Sequence, residues 1–356
     1  MFCESCRDLL YKRVAIVFAA CATALFAVGA VAASRGHVAG HRLVQGVPAS
    51  AVQAHGVRRP VLRTIAPVHV VRKVQPHPHV RLRATISLYE HTTSSYVLGR
   101  QGCRAAKRGV GGVVILDFGK PAFNGNTYGT ILFSNRFATN RAITRGMLGY
   151  ARGYANCLPR GLDAAISLAR GTSNYHPHVP NPFYAGWRWA NETKLLQRLL
   201  RAHGLSRHVT SAAADDVEPA WDRTFWRTRD FYRGYARARV GQLLYNYGSL
   251  DGGVRHGVWN VRQAFFVASG MRDSRAIPEI YNSAMAREWA DLARFARRRY
   301  HRPVKFAGVM TTHTSANHGI KPVAAHSLLT RELARSVGRG PASYVPPSLT
   351  NIRSAY

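Results

Sequence analysis

Ser211-Ala212-Ala213-Ala214-Asp215-Asp216-Val217-Glu218-Pro219-Ala220-Trp221-Asp222 decides how the rest of the chain is read. Four acids fall within eight positions of a chain that holds only 17 Asp and Glu against 50 Lys and Arg. Like charges side by side repel, so carboxylates that merely solvate a surface are expected to be scattered. The small residues ahead of the cluster end a strand expected over His208–Ala214. Side chains two apart on a strand share a side, ~6.6 Å apart along the chain. Asp216 and Glu218 then share a face while Asp215 points away. Two carboxylates on one face at a strand end are the arrangement from which general acid and base pairs are built. The plainer reading is a solvated acidic loop before a helix, with Asp222 as its N-cap.

The same pattern recurs outward from this stretch. Apolar runs at 111–119, 162–168, 208–214, 242–247, 263–269 and 304–311 read as strands, and the alternation at 83–89 marks a further candidate. Helical periods fall at 139–156, 187–203, 225–239, 278–299 and 328–337. Strands alternating with helices predict a parallel sheet covered on both sides. The strands end in polar residues: Asp117, then Thr172 and Asn174, Asp216 and Glu218, Asn246, Ser269, and Thr311-Thr312-His313. Polar residues gathered at the C-terminal ends of successive strands predict the mouth of a TIM-like (β/α) barrel. The fold class expected is therefore α/β. An open doubly wound sheet is the alternative, but no Gly-rich phosphate loop opens a helix after a strand.

Residues 1–33 read as a signal peptide or membrane anchor, because Val14–Ala33 is an uncharged run of twenty residues. At ~1.5 Å per residue it matches a ~30 Å hydrocarbon core, while Ala30-Val31-Ala32 fits a cleavage site. Residues 34–97 read as a basic linker rich in Pro, His and Val, largely disordered, since it has too little apolar surface to offset its ordering entropy. Residues 98–340 then form the barrel and 341–356 a tail. The location expected is extracellular or cell-surface, with the membrane a partner through Val14–Ala33 if it is not cleaved. Of the five cysteines, Cys103 and Cys157 alone belong to the barrel, and in an oxidising compartment the two predict one disulfide. From residue 98 onward 38 Lys and Arg face 14 Asp and Glu, so the folded part itself is basic. No nucleic-acid motif accompanies that charge, and the partner expected is a polysaccharide or an anionic cell-wall polymer rather than nucleic acid.

Leu116-Asp117-Phe118-Gly119 closing the first strand and Asp216-Val217-Glu218 closing a middle one resemble the layout of barrel-fold glycoside hydrolases. The nearest shapes are the family 25 lysozymes and the related secreted glycoside-hydrolase-like barrels. Pro278-Glu279-Ile280-Tyr281 adds to that likeness, which spans roughly residues 112–312. The resemblance implies that Glu218 donates a proton to the glycosidic oxygen. It implies that Asp216 holds the developing positive charge or an intermediate in place, and that Asp117 holds the pair or a substrate hydroxyl. Glu279 has a second reading, as the first-turn acid of a helix that Pro278 starts.

Flat aromatic rings stack on sugar faces, and Trp221, directly after the acids, is the leading candidate for that role. Asn174, Tyr245, Asn246 and Tyr281 complete the expected substrate-binding set, while Trp187, Trp189, Tyr247 and Trp259 also lie near strand ends. No cofactor and no metal are expected. His176-Pro177-His178, His313 and His318 lack the spacing of a ligand set, and there is no Gly-x-Ser-x-Gly elbow. The alternative to an enzyme is a non-catalytic barrel that binds carbohydrate at the cell surface.

Overall fold

The computed structural model describes residues 83–160, 164–175, 177–250, 258–313 and 319–354. The expected N-terminal helix Val14–Ala33, the linker through residue 82, and His176 and His318 lie outside them. In chain order the elements are β1 (Arg83–Tyr89), α1 (Ser95–Lys107) and β2 (Gly112–Asp117). A small sheet follows, of β3 (Lys120–Phe123), β4 (Tyr128–Ile131) and β5 (Phe137–Thr139). Next come α2 (Asn140–Cys157), β6 (Ile166–Ser173), α3 (Pro182–Ala202), β7 (Val209–Asp216), α4 (Phe225–Arg237) and β8 (Leu244–Asn246). The last elements are α5 (Val261–Phe265), β9 (Ser274–Ala276), α6 (Ser283–Tyr300), β10 (Val309–Thr311), α7 (Pro322–Val337) and β11 (Ser348–Ser354).

Eight of these strands form one sheet in the order β10-β11-β1-β2-β6-β7-β8-β9, with every pairing parallel. The two outer strands then meet. Ala276 bridges Phe306 and Glu279 bridges Met310, and the Met310 amide donates to the Pro278 carbonyl at 2.8 Å. Chain order and spatial order agree all the way round, which is the connectivity of a TIM-like barrel.

Side-chain alternation divides the core as that geometry requires. Val113, Ile115, Ala169, Ala212, Ala214, Tyr245, Tyr247, Ile277, Met310 and Ile352 pack together inside the ring. The intervening residues, such as Val114, Leu116 and Leu168, face outward onto helices α1–α3. Ala213 and Val217 face outward toward α3 and α4. The β7 alternation therefore sends Asp216 inward and Asp215 outward.

Several expectations are corrected. Residues 83–97, placed within the linker range, supply β1 and the start of α1; β1 is the strand that the alternation at 83–89 marks as a candidate, Ile86 and Leu88 alternating with Thr85, Ser87 and Tyr89 across the barrel wall. Residues 341–356, assigned to a tail, contain β11, which lies between β10 and β1. That strand offers only Leu349 and Ile352 as apolar positions, too few to register as a strand. Residues 263–269 are helical, not a strand: Asn260 and Gln263 form a capping box that starts α5, and a π-helical turn over Phe266–Gly270 continues it. The strand at this place is the short β9. The helix expected from Pro278 begins at Ser283, capped by Asn282, and residues 277–281 stay extended to close the ring. Cys103 and Cys157 form a disulfide with a Cα–Cα distance of 5.0 Å, joining α1 to the end of α2.

Candidate active site

The C-terminal ends of the barrel strands gather the chain's buried acids. Asp117 closes β2, and its Oδ1 accepts from the Gly119 amide at 2.8 Å. Gly119 has φ +84, and a side chain there would meet the Ile131 carbonyl at 2.3 Å, so the turn after Asp117 packs directly onto the small antiparallel sheet. Oδ2 of Asp117 is buried. Burial pushes the Asp117 carboxyl up to about 7, against the Gly119 amide and the nearby Tyr247 hydroxyl, which favour its ionised form.

Asp216 closes β7 and projects inward. Burial raises its pKa well above the usual carboxylate range, and Glu279, Glu218, Asp117 and Asp215 each raise it further. Among the described residues its Oδ1 is buried without a hydrogen-bond partner. Glu218 follows two residues later and is half-buried. Asn174 fixes its backbone from both sides, Oδ1 accepting from the Glu218 amide and Nδ2 donating to its carbonyl, each at 3.0 Å. Glu279 lies in the extended segment after β9, its backbone hydrogen-bonded toward Gly248. The helix-start reading of Glu279 is therefore replaced by a place on the barrel wall. Asp117, Asp216, Glu218 and Glu279 all bear electrostatically on one inward-pointing side chain, Tyr89, whose pKa burial and these four acids raise.

The expected substrate-binding residues divide. Trp221 is half-buried at the rim, its ring edge-on to exposed Tyr175 at 5.6 Å, and its amide donates to the Glu218 carbonyl. Tyr281 is half-buried, accepts from the Thr312 hydroxyl at 3.4 Å, and is raised by burial and then by Glu279. Asn174 is only 4% exposed and its amide is committed to residue 218, so it positions the site rather than meeting a ligand. Asn246 faces outward and turns the chain by accepting from the Gly248 amide. Tyr245 faces inward but reaches Ser167 near the start of β6, at the floor of the barrel. Asp222 is not the N-cap of α4, which is Thr224; its Oδ1 accepts from the Thr224 amide.

Among the other residues weighed, Trp189 is core, lying under the Arg170 guanidinium at 4.1 Å. Trp259 is buried and donates to the Asp222 carbonyl. His313 is held by Gly319 and Asn351 through ring and backbone. Among the described residues no group of His, Cys, Asp or Glu could hold a metal ion.

Two aromatic residues were not anticipated in the site. Tyr89 ends β1, the candidate strand within the linker range, with Phe133 packed against it at 4.6 Å. The sequence marks Tyr247 only as an aromatic near a strand end. Its hydroxyl donates to the Thr172 carbonyl at 3.3 Å and lies beside Asp117. The period-two alternation that placed Asp216 inward would have placed both.

Chemically, the mouth is a set of carboxyls, of which Asp117 and Asp216 have pKa values raised by burial, rimmed by aromatic faces. It can give and take protons at one spot. Three solved structures resemble the fold distantly, each 11% identical to this chain. A provisionally assigned mandelate racemase/muconate lactonizing enzyme from Labrenzia alexandrii DFL-11 has a TM-score of 0.31, over 78% of this chain; this chain spans 56% of that protein. A provisionally assigned alpha-L-fucosidase from Bacteroides thetaiotaomicron VPI-5482 has a TM-score of 0.38, over 82% of this chain and 91% of its own. PhdJ bound to a substrate intermediate has a TM-score of 0.33, over 72% of each chain. No protein-family model matches the chain, and no curated protein matches it.

Proposed function

We propose that the protein is an exported glycoside hydrolase acting on cell-wall glycan through the carboxyls at the barrel mouth. The observation that supports this is the meeting of Asp117, Asp216, Glu218 and Glu279 around Tyr89, with Trp221 and Tyr175 at the rim. Within the pair, the roles implied by resemblance exchange. Asp216 is buried and crowded by other acids, which raise its pKa and favour its acid form. Glu218 is the more solvated member. In this reading Asp216 protonates the glycosidic oxygen and Glu218 faces the positive charge that develops on the sugar ring.

Activity needs the protonated form of Asp216, so the rate falls as pH rises through that raised pKa. Glu218→Gln removes a neighbouring negative charge and therefore lowers the pKa of Asp216. The alkaline limb of the pH–rate profile moves to lower pH. Asp216→Asn cannot donate, and hydrolysis falls by at least ~100-fold. Release of reducing ends from a panel of purified peptidoglycans and wall polysaccharides measures both. Equal hydrolysis by wild type and Asp216→Asn sinks the assignment.

A second reading draws on a specific observation: Asp117, Asp216 and Glu279 are only 1, 3 and 4% exposed. A barrel whose acids are so enclosed can also serve as a carbohydrate-binding surface protein without turnover. Glycan retained by the wild type but never cleaved selects that reading.

A further inference from the structure

We infer that the end of the barrel opposite the carboxylate mouth is a docking face for an anionic membrane surface, its arginines meeting lipid phosphates and acidic headgroups. Seven connections lead from a helical segment into the next barrel strand, and topology gathers all of them at this end. Every one carries an exposed arginine: Arg108, Arg160, Arg207, Arg239, Arg272, Arg302 and Arg339. Asp273 is the one acid among their described residues. A cation at a helix C-terminus is favoured by the helix dipole, an effect confined to the last turn. That accounts for residues such as Arg201, Arg237 and Arg335. It does not account for Arg160, Arg207, Arg272 or Lys305, which lie past the last turn.

These cations crowd one another. Lys305 donates to the Met271 and Arg272 carbonyls at 2.8 and 2.9 Å. Burial, and then Arg275 and Arg302, pull its pKa down to about 8. Mutual repulsion of this kind destabilises the free protein and is relieved by an anionic partner. Where α6 and α7 end, a depression of about 310 Å³ is lined by Arg294, Arg297, Arg298 and His301. Asp291 engages Arg294 and Arg297 donates to the Val337 carbonyl, which leaves the charge of exposed Arg298 beside a volume suited to a phosphate headgroup.

The distribution favours a plane over a thread. One arginine per connection makes a ring about the barrel axis, whereas a linear polyanion is tracked by a groove or stripe. The chain also enters here, because Arg83 opens β1 at this end. The preceding 82 residues contain the uncharged run Val14–Ala33, and the membrane assignment rests on that run lying in a bilayer. Held this way, the protein turns its carboxylate mouth away from the lipid.

The test compares partition of the full chain onto vesicles of phosphatidylcholine alone and onto vesicles with roughly one-third phosphatidylglycerol. The apolar run contributes to both, so the difference reads the cationic face. At low salt the acidic vesicles are expected to bind at least ~10-fold more strongly, with the excess lost at high salt. R298E/R302E/R339E, all exposed and remote from the mouth, is expected to lose the excess. R145E/R233E/R287E makes the same change of net charge on the flanks of the barrel and is expected to keep it. Thermal unfolding of both variants checks that the fold is retained. Equal binding of wild type to the two vesicle types overturns the proposal, as does equal loss in both variants. A first variant that loses only binding to soluble polyphosphate, while partitioning like wild type, assigns the face to a linear polymer and overturns the membrane.

Discussion

Glu90 lies just outside the ring of acids that faces the mouth. It follows β1, points outward beneath α1, and is fully buried, with the Gln101 amide donating to its Oε2 at 3.2 Å. Burial pushes its carboxyl from 4.5 up to about 8; Gln101 and Arg104 oppose the shift and Asp117 adds to it. The unfolded chain releases this proton near the ordinary carboxylate value, while the folded chain holds it until about pH 8. Between those limits the native state binds more protons, so stability falls as pH rises, by at most ~1.4 kcal/mol per pH unit for this group. Asp117, Asp215 and Asp216 are raised as well and add slopes of the same sign. Glu90→Gln keeps the acceptor for Gln101 and is expected to flatten, not abolish, the decline between about pH 5 and pH 8. Denaturant midpoints across that range measure it, and an unchanged slope shows that Glu90 is ionised in the native state. At this scale the site was legible wherever alternation along a strand sufficed, as for Asp117, Asp216 and Glu218. It was not legible for Asn174, Asn246 and Tyr245, which share the strand-end position but point at backbone, at helices or at the barrel floor. Strand position alone does not carry that direction.

Helices α1 and α2 pack closer than side chains normally allow. A Cβ on Gly102 would lie 2.1 Å from the Tyr150 carbonyl oxygen, and one on Gly153 only 1.9 Å from that of Gly99. The Cys103–Cys157 disulfide closes the same interface, and its 54-residue separation corresponds to ~4 kcal/mol of lost chain entropy in the unfolded state. Two effects compete at Gly153. Alanine is the better helix former by ~1 kcal/mol, but the contact forces the backbones apart, and overpacking costs ~1–3 kcal/mol. Because the obstructing atom is a backbone carbonyl with no rotamer to yield, Gly153→Ala is expected to destabilise by ~1–2 kcal/mol in denaturant unfolding. A stabilised variant would show that the two helices separate freely. Elements with a clear period were legible, α2 and α4 nearly to their ends. The sequence misled where local chemistry overrode the apolar run: the Asn260–Gln263 capping box turned an expected strand into α5. It was silent where strands were short or polar, as in β3, β4, β5 and β11, whose stability comes from neighbours rather than from their own residues.

At the level of the whole molecule, closure depends on the element least visible beforehand. β11 pairs with β1 over seven residues, Arg83↔Ser348 through Tyr89↔Ser354, and with β10 from Val309↔Leu349 to Thr311↔Asn351. Ile352 fills the interior of the ring while Leu349 belongs to the cluster around α6 and α7. Removing residues 348–356 would take these side chains out of two cores at once. It would also leave β1 and β10 with unpaired backbone groups facing each other across a gap, an arrangement prone to aggregation. Helices α6 and α7 cannot compensate, because their own apolar faces pack against Leu349 and its neighbours. The truncated chain is therefore expected to lose cooperative thermal unfolding and to run as aggregate in size-exclusion chromatography, while Glu90→Gln and Gly153→Ala elute like the wild type. A truncated chain that melts cooperatively near the wild-type temperature would mean that seven strands hold the mouth together. The convergence of Asp117 with Asp216 and Glu279 would then be set by local pairing and not by closure of the ring.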